Sequence, residues 1–525
     1  MKNFLNLFLP AMALCSCSLF GDGPEEGAFG TAGTVPHDMI VLGERLEDPY
    51  SVDNIIEAVS VLYPTRAGRV DIQPTDIYVR FLPRTEEEYD LLLSKGLLLI
   101  DHPIDFEIVR EGDYYHDPSL AEDSITWQYA VVKPDFVFPE GIRHEVLDKC
   151  YIADNDAATR ADDIDWDAVE REAFRLTGNA AMLEPEARGA TAPARPSGRL
   201  CVVDEKHGSE PEGLAGVRVS CNTFVKFAHA YTDPEGYYEM DREFTSELRY
   251  RIVFQNDKGF GIGLNKILVP ASTSTLGTAG PEGVSLTVDK GSDRKLFVRS
   301  VVNNAAYDYY ESCKTRDREI LTPPANTRIW IFQALEECST PMLQQGVLID
   351  DTAIGEFLGD YAKYVKMFLP DITLGVKDVD DYATLYGGTV HELAHASHFS
   401  QVGKDYWTKY IRYIVFSFLE SGGRMYGVGS GEGAGHCEVG EMWGYYVQNR
   451  MYKERYGEDK ATIGTSYWFQ PHVLLYLDER GLDRSSIFGA LQPDVTSRSA
   501  LQDKLGSLYP DYGVIIKQAF DRYRD

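Results

Sequence analysis

The chain of 525 residues has few cationic side chains and, outside its first residues, no long apolar run. It carries 51 Lys and Arg against 82 Asp and Glu, a formal net charge of -31 at pH 7. Because this charge repels phosphate, it argues against nucleic acid as a partner and fits a soluble secreted surface. No segment after the N-terminus is apolar enough to be a candidate membrane span. The sequence also shows no Ser-His-Asp or reactive-cysteine context that would indicate nucleophilic catalysis.

The N-terminus has the pattern of an export signal. Residues 4–14 form an apolar run that is too short to cross a bilayer. The Leu-Cys-Ser-Cys stretch at 14–17 resembles a bacterial lipobox, with a Leu three residues before a Cys and a small residue just before it. The resemblance implies a signal peptide over 1–17 and a lipid on Cys17, and hence a lipid-anchored protein of the outer membrane or cell surface. Cys15 is the weaker candidate because a bulky Leu precedes it, and a plain cleaved signal peptide is the alternative.

Six further cysteines follow the N-terminal pair. An exported protein meets an oxidising environment, where cysteines can pair. Six cysteines allow 15 pairings, and the sequence does not choose among them. Cys201 and Cys221 could face each other within one small β domain, and buried free thiols are equally compatible with the sequence. The six are Cys150, Cys201, Cys221, Cys313, Cys338 and Cys437.

The first half of the chain predicts a tether, an α/β domain and a linker. Residues 18–36 are rich in glycine and are typical of a tether. Residues 37–150 predict an N-terminal α/β domain, in which the stretches TDIYVRFLP and LLLIDHP read as strands and TEEEYDLLLSKG as a helix with a Thr cap. Residues 151–197 predict a linker that contains a helix from Trp166 to Leu176. No chemical motif lies in these segments, so docking, substrate selection and autoinhibition are all open for 37–150.

Residues 198–266 predict a small β-sandwich, because short alternating runs are bounded there by Gly, Pro and Asp. Within it, GLAGVRV at 213–219 and TDPEGYY at 232–238 resemble the carboxypeptidase regulatory-like sandwich. Asp233 is expected to cap the turn, and Gly236 to take the positive φ that restarts the strand. Such modules usually support or position a neighbouring domain. The role implied for this one is therefore structural.

Residues 290–525 predict a mostly helical domain that contains the motif YGGTVHELAHASHFSQVG. His391 and His395 are four residues apart, so on a helix they lie one turn apart on one face and can present two nitrogens to a tetrahedral ion. Glu392 follows the first histidine and can act there as the general base. The neighbours of these residues are mostly uncharged, as a buried metal-binding helix requires. Here the sequence resembles the zincin superfamily of zinc metallopeptidases, through its HExxH helix.

The zincin resemblance implies a third protein ligand for Zn²⁺. The metzincin pattern fails, because it requires Gly at 398 and His at 401 and the chain has His and Gln. A gluzincin supplies a Glu from a later helix, followed two residues later by a small residue that allows close helix approach. Glu441 and Gly444 fit that pattern, although Tyr445 stands where an acid is often found. Rivals for the third position are Glu438, Glu432, His436 and His398, the last of which we expect to be a supporting or surface histidine.

The resemblance implies a zinc metallopeptidase that cleaves a peptide or protein substrate at the cell envelope, with Glu392 moving the proton. A non-catalytic surface binding lipoprotein on a peptidase-like scaffold is the alternative, and a zinc hydrolase acting on another amide or a cell-wall peptide is a third. Oligomeric state is left open. Tyr406, Tyr410, Tyr413 and either Phe416 or Ser417 form an aromatic stripe that predicts core or inter-helix packing. Candidates for a transition-state donor, which the sequence does not separate, are Tyr426, Tyr445, Tyr446, Tyr467 and His472.

Overall fold

The structure is a computed structural model that describes most of the chain after residue 37. The predicted signal peptide with Cys17, the tether at 18–36 and Tyr467 lie outside the described residues. Within the described part, no helix combines the length and the apolar character that crossing a membrane requires. The described residues are 38–65, 70–121, 124–153, 164–183, 193–208, 210–264, 269–314, 320–333, 338–341, 371–377, 379–420, 426–460 and 468–524.

The described part is mixed α/β, with several sheets and a helical C-terminal half. Its helices are α1 (Val52–Leu62), α2 (Glu86–Ser94), α3 (Trp166–Leu176), α4 (Arg294–Cys313), α5 (Tyr382–Val402), α6 (Lys404–Glu420), α7 (Ala434–Tyr456), α8 (His472–Asp478), α9 (Arg484–Ala490), α10 (Arg498–Leu508) and α11 (Gly513–Arg522). Its strands are β1 (Val41–Arg45), β2 (Asp76–Leu82), β3 (Phe106–Arg110), β4 (Gln128–Val132), β5 (Arg143–Cys150), β6 (Ser197–Val202), β7 (Glu212–Gly213), β8 (Val217–Thr223), β9 (Lys226–Tyr231), β10 (Tyr237–Glu239), β11 (Leu248–Asn256), β12 (Gly261–Leu264), β13 (Thr273–Ala279), β14 (Leu286–Val288), β15 (Arg328–Phe332), β16 (Cys338–Pro341) and β17 (Ile372–Gly375).

The N-terminal part is built around an antiparallel sheet in the order β4-β2-β5. Strand β2 and helix α2 confirm two of the sequence predictions, and the Thr85 side chain caps α2 by accepting the backbone N–H of Glu88. Helix α3 also occupies the predicted residues, where the Asp165 side chain caps its first turn. These elements could be predicted because the residues that cap each helix, and the apolar spacing that defines each helix or strand, lie within the element itself or next to it in sequence.

The predicted strand in LLLIDHP is wrong. Only Ile100 pairs there, through a single bridge to Tyr129. The chain then leaves the sheet, because the Asp101 carboxylate accepts the backbone N–H of Tyr115 at 2.6 Å. The His102 ring also bonds to the carbonyl of Pro103 at 2.9 Å. These local contacts between side chains and backbone replace the strand ladder that the apolar run suggested.

The middle of the chain forms two sheets. One has the order β10-β6-β14, and the longer one has the order β16-β17-β15-β12-β11-β8-β9. The turn before β10 has the predicted geometry: Gly236 has a φ of +85°, and the Asp233 carboxylate accepts the backbone N–H of Tyr237 at 2.8 Å. The longer sheet runs from strands β8, β9 and β11 of the predicted sandwich segment into β15 and β17 of the C-terminal region. The predicted sandwich segment and the C-terminal region therefore share one sheet.

One large apolar core joins that sheet to the C-terminal helices, and it includes Ile252 of β11, Ile329 of β15, Val301 of α4 and Leu393 of α5. Helix α5 is largely buried, and α4 and α7 both pack against it. Five of the six later cysteines have described side chains, and all five are buried free thiols: Cys150, Cys201, Cys221, Cys313 and Cys437.

Candidate metal centre

Helices α5 and α7 bring His391, His395 and Glu441 together. Helix α5 begins at the Asp381 cap, whose carboxylate accepts the backbone N–H of Thr384 at 2.8 Å. It therefore carries both histidines on the face that α7 covers. His391 is 7% exposed, and His395 and Glu441 are each 1% exposed. Three ligand-type side chains from two helices thus meet in a closely packed, buried position.

The distances among these side chains fit one small cation. Nε2 of His391 lies 3.4 Å from Glu441 Oε2, and Nε2 of His395 lies 3.6 Å from Glu441 Oε1. A tetrahedral ion with bonds of about 2.0–2.2 Å separates its ligand atoms by about 3.3–3.6 Å. The two histidine nitrogens are closer, at 2.9 Å. Glu441 Oε2 is buried without a hydrogen bond within the described residues, so a ligand oxygen is available.

Gly444 makes this close approach of α7 to α5 possible, as its small size predicted. A Cβ atom at this position would lie 2.8 Å from Cε1 of both His391 and His395. Real Cβ contacts almost never reach that distance. The Trp443 indole next to it donates a hydrogen bond of 2.9 Å to the Ala394 carbonyl, which fixes the register of the two helices. The site therefore depends on glycine at 444.

Tyr410 completes the site in a way the sequence did not indicate. Its hydroxyl, on α6, donates a short hydrogen bond to Oε1 of Glu441. Gly440 gives the ring its place, since a Cβ there would lie 3.0 Å from Tyr410 Cε2. Tyr406, Tyr410 and Tyr413 are buried, as the predicted packing stripe requires, but Phe416 is 53% exposed, so the prediction that it packs with them is wrong. The stripe pattern shows that the three tyrosine rings are buried, but it does not show which hydroxyl meets a ligand.

The two histidine rings are oriented by aromatic packing. The His391 ring lies edge-on to Tyr445 with the centroids 4.5 Å apart, and the His395 ring lies edge-on to Trp407 at 5.4 Å. Nδ1 of each histidine is buried without a hydrogen-bond partner in the described part of the chain. Metal-binding histidines usually donate this N–H to a carboxylate or carbonyl. Tyr445, which replaces the usual acid, supplies a packing surface instead.

The rival ligands lie elsewhere. Glu438 forms an ion pair of 3.4 Å with Arg498, and Glu432 is exposed. The His436 ring packs on Tyr406 at 4.6 Å between centroids. His398 is fully buried, so the part of our expectation that made it a surface histidine is wrong. Its ring lies edge-on to the rings of Tyr406 and Trp407. It is not part of the cluster formed by His391, His395 and Glu441.

Electrostatics at the site favour a bound cation. Burial lowers the pKa of His395 to about 3, which leaves this imidazole neutral. Burial alone would raise the pKa of Glu441, but the neighbouring histidines and Tyr410 outweigh it and hold the pKa below its ordinary value. For His391, burial is outweighed by the adjacent Glu441 carboxylate, which raises the pKa. A metal that binds here competes with protons for His391, because only the neutral imidazole can be a ligand.

Glu392 lies beside the cluster and is 3% exposed. Of the candidate donors, Tyr426 and Tyr445 are close to the site. Burial and the charges of Glu441 and Glu392 raise the pKa of Tyr426 well above its ordinary value. The pKa of Tyr446 is raised by burial and by Asp478, and this tyrosine lies on the other side of α7 from the cluster. The ring of His472 stacks on the ring of Tyr523.

A second cluster, Asp204, His207 and Glu212, also has metal-type side chains. Here Arg455 already occupies the centre, with ion pairs of 2.8 Å to Asp204 and 2.6 Å to Glu212. The guanidinium also lies over the Tyr386 ring at 5.0 Å. This cluster therefore joins the segment after β6 and strand β7 to α7 through the Arg455 side chain.

No protein-family model matches the chain, and no curated protein is significantly similar to it.

Proposed function

We propose that the protein is a zinc-dependent metallopeptidase of the zincin type, related in its ligand pattern to gluzincins. The observation that carries this proposal is the meeting of His391, His395 and Glu441, at ligand spacing, against Gly444. Two imidazoles and one carboxylate are a ligand set of catalytic zinc sites, which keep one position open. The acidic residue directly after the first histidine supports a hydrolytic rather than a structural role.

In this proposal, His391, His395 and Glu441 hold the ion. When bound, Zn²⁺ supplies Lewis acidity, which polarises a carbonyl and lowers the pKa of water. Glu392 accepts the proton of the attacking water and passes it to the leaving amine. Tyr410 holds the Glu441 carboxylate in place through its hydroxyl. The substrate is a peptide or protein chain.

Tyr426 is the favoured transition-state donor. Its backbone is held in a left-handed conformation with a φ of +60°, which is unusual for a tyrosine. Its carbonyl accepts hydrogen bonds from the Tyr413 hydroxyl at 2.9 Å and the Trp468 indole at 2.8 Å. The raised pKa keeps its hydroxyl protonated, so it remains a donor at neutral pH. Tyr445, by contrast, packs on His391.

The test is metal analysis combined with proteolysis of a mixed peptide library, for the wild type and Glu392→Gln. We expect zinc in both proteins, and a loss of hydrolysis of at least about 100-fold in the variant, since general acid–base groups contribute about 10²–10⁴. Equal activity in both would remove Glu392 as the base. Absence of zinc and of hydrolysis in the wild type would favour the non-catalytic binding lipoprotein.

We also propose that the enzyme is lipid-anchored at the bacterial outer membrane or cell surface. The support is the lipobox-like stretch ending at Cys17. Cys17→Ser is expected to move the protein from the membrane fraction to the soluble fraction. Cys15→Ser is the matched control, and should leave it in the membrane fraction. The opposite pattern would assign the lipid to Cys15.

A further inference from the structure

The candidate metal centre is nearly closed to solvent. His395 and Glu441 are each 1% exposed, Glu392 is 3% exposed and His391 is 7% exposed. Helices α4, α6 and α7 and strands β16 and β17 all contact α5, which carries two of the ligands. A metal ion has to reach this position, and so does any peptide that is cleaved there. At such low exposure, neither can enter unless an element beside the site moves.

A row of aromatic rings connects the metal centre to the loop that precedes α7. The His391 ring lies edge-on to the Tyr445 ring, with 4.5 Å between the centroids. Tyr445 stacks on Phe469 at 5.5 Å, and Phe469 lies edge-on to Tyr426 at 5.3 Å. Tyr426 is the outermost ring of this row, and it belongs to the loop. A displacement of the loop therefore removes a contact that holds the rings beside His391.

This loop, which we call the strap, comprises residues 426–433. Its side chains at 428, 430 and 432 are exposed. The residues that alternate with them are glycines with positive φ, a conformation that glycine adopts without strain and leaves easily; they are Gly427, Gly429, Gly431 and Gly433. The strap therefore depends on neighbouring elements to hold it in place.

Two side chains outside the strap hold it. The buried Tyr413 hydroxyl, on α6, donates to the Tyr426 carbonyl at 2.9 Å and accepts the Gly429 N–H at 2.9 Å. The Trp468 indole donates to the same Tyr426 carbonyl at 2.8 Å. These bonds keep Tyr426 at its unusual φ of +60°. Three neutral hydrogen bonds contribute a modest net stability, which thermal motion can overcome.

We propose that the strap, residues 426–433, closes over the metal centre and has to open before an ion or a peptide can enter or leave. Opening breaks the bonds to Tyr413 and Trp468 and withdraws the Tyr426 ring from Phe469. Closing returns Tyr426 to the site, where it completes the set of groups around the ion. The passage of a peptide rests on the proposed function. The passage of the ion requires only that the three ligands bind zinc.

The test measures zinc exchange, which does not depend on catalysis. Zinc uptake by the full-length metal-free protein and zinc release to an excess of chromophoric chelator are timed for the wild type and Tyr413→Phe. This variant loses two of the three bonds, so we expect both rates to rise by about fivefold or more. Because uptake and release both pass through the open strap, the zinc affinity should stay within about twofold of the wild type.

Two further variants assign the effect to the strap. Trp468→Phe removes the third bond and should also raise both rates. Tyr509→Phe is the matched control, because its hydroxyl donates to a backbone carbonyl elsewhere, that of Ser486 at 3.0 Å, and it should leave both rates unchanged. In the metal-free protein, amide hydrogen exchange of residues 426–433 should be faster in Tyr413→Phe than in Tyr509→Phe.

Unchanged zinc exchange rates in Tyr413→Phe would overturn the strap. So would a faster release without faster uptake, since the affinity would then fall and Tyr413 would support a ligand instead of controlling access. A wild type that binds no zinc would remove both this inference and the proposed function. Failure of the peptidase proposal alone shows as absence of hydrolysis by a wild type that does bind zinc, whatever its exchange rates.

Discussion

The Tyr410 hydroxyl donates a hydrogen bond to Oε1 of Glu441, and this contact joins a third helix to the candidate metal centre. Burial, together with the charge of Glu441, raises the pKa of Tyr410 well above its ordinary value, so the hydroxyl stays protonated. Each of the two oxygens of Glu441 then has a separate role. One accepts from Tyr410, and the other, Oε2, is left for a cation.

Tyr410→Phe is predicted to weaken zinc binding by about 10- to 100-fold, the usual effect of losing a group that holds a metal ligand. Zinc affinity can be measured by competition with a chromophoric chelator. Tyr406→Phe, on the same helix, is the matched control. Among the described residues, the partners of its hydroxyl are the carbonyls of His436 and Val495, each at 3.3 Å. Equal zinc affinities in the two variants would show that Tyr410 does not orient Glu441.

Gly444→Ala is predicted to abolish tight zinc binding, because the new methyl group would occupy the space of both histidine rings. We expect a loss of about 1–3 kcal/mol in stability as the helices separate. Gly388→Ala, on α5, provides the control. Apart from its own helix, none of the described residues comes within 4 Å of its Cβ position, so it should keep zinc and gain up to about 1 kcal/mol. Metal analysis and urea unfolding measure the two effects. Full zinc content in Gly444→Ala would mean that the helices tolerate a wider spacing.

Arg455→Met is predicted to destabilise the protein by about 3–5 kcal/mol, because it leaves the buried Asp204 without its cation and also removes the partner of Glu212. The Arg455 side chain is 10% exposed. Arg450→Met, one turn and a half earlier on α7, is the control. Arg450 is 34% exposed and pairs with Asp478 at 2.8 Å, so its loss should cost about 1 kcal/mol or less. Urea unfolding of both variants provides the comparison, and similar midpoints would contradict a role for Arg455 in joining strand β7 and the segment before it to α7.

The sequence predicted the parts of the site that depend on local spacing. The two histidines lie four residues apart, and Glu441 and Gly444 lie three residues apart, so each pair shares one face of its helix. The helical period gives these positions, and the small size of glycine indicates a close helix contact. The turn at Asp233 was predictable for the same reason, since one carboxylate and one glycine define it.

Contacts between distant segments were beyond sequence reasoning. Nothing local separates Tyr410 from Tyr406 and Tyr413, since all three rings are buried. The approach of Lys460 to Gly387 depends on how α7 ends and where α5 lies, and both are tertiary properties. The sequence also did not predict the continuous sheet through β11, β12 and β15, because the residue pattern of one strand does not identify the strands that pair with it.

Asp48 predicts a measurable pH dependence of stability far from the candidate metal centre. This carboxyl group is buried. It accepts the backbone N–H of Tyr50 at 2.9 Å, and burial raises its pKa to about 7. In the unfolded chain the pKa is near the ordinary value of 3.8. Between about pH 4 and 7 the folded protein therefore holds a proton that the unfolded chain has lost. The contribution of Asp48 to stability is fully present below pH 4 and declines as the pH rises through 7.

Asp48→Asn removes this titration, because the amide oxygen can still accept from Tyr50. The variant should match the wild type near pH 4 and exceed its stability at pH 8, with a smaller fall in the urea midpoint between these values. The comparison with wild type is needed because Asp101 and Asp308, whose pKa values burial raises to about 6, add to the same slope. A wild-type slope retained in Asp48→Asn would mean that Asp48 is ionised in the folded protein, and that the Tyr50 N–H is enough to hold its charge.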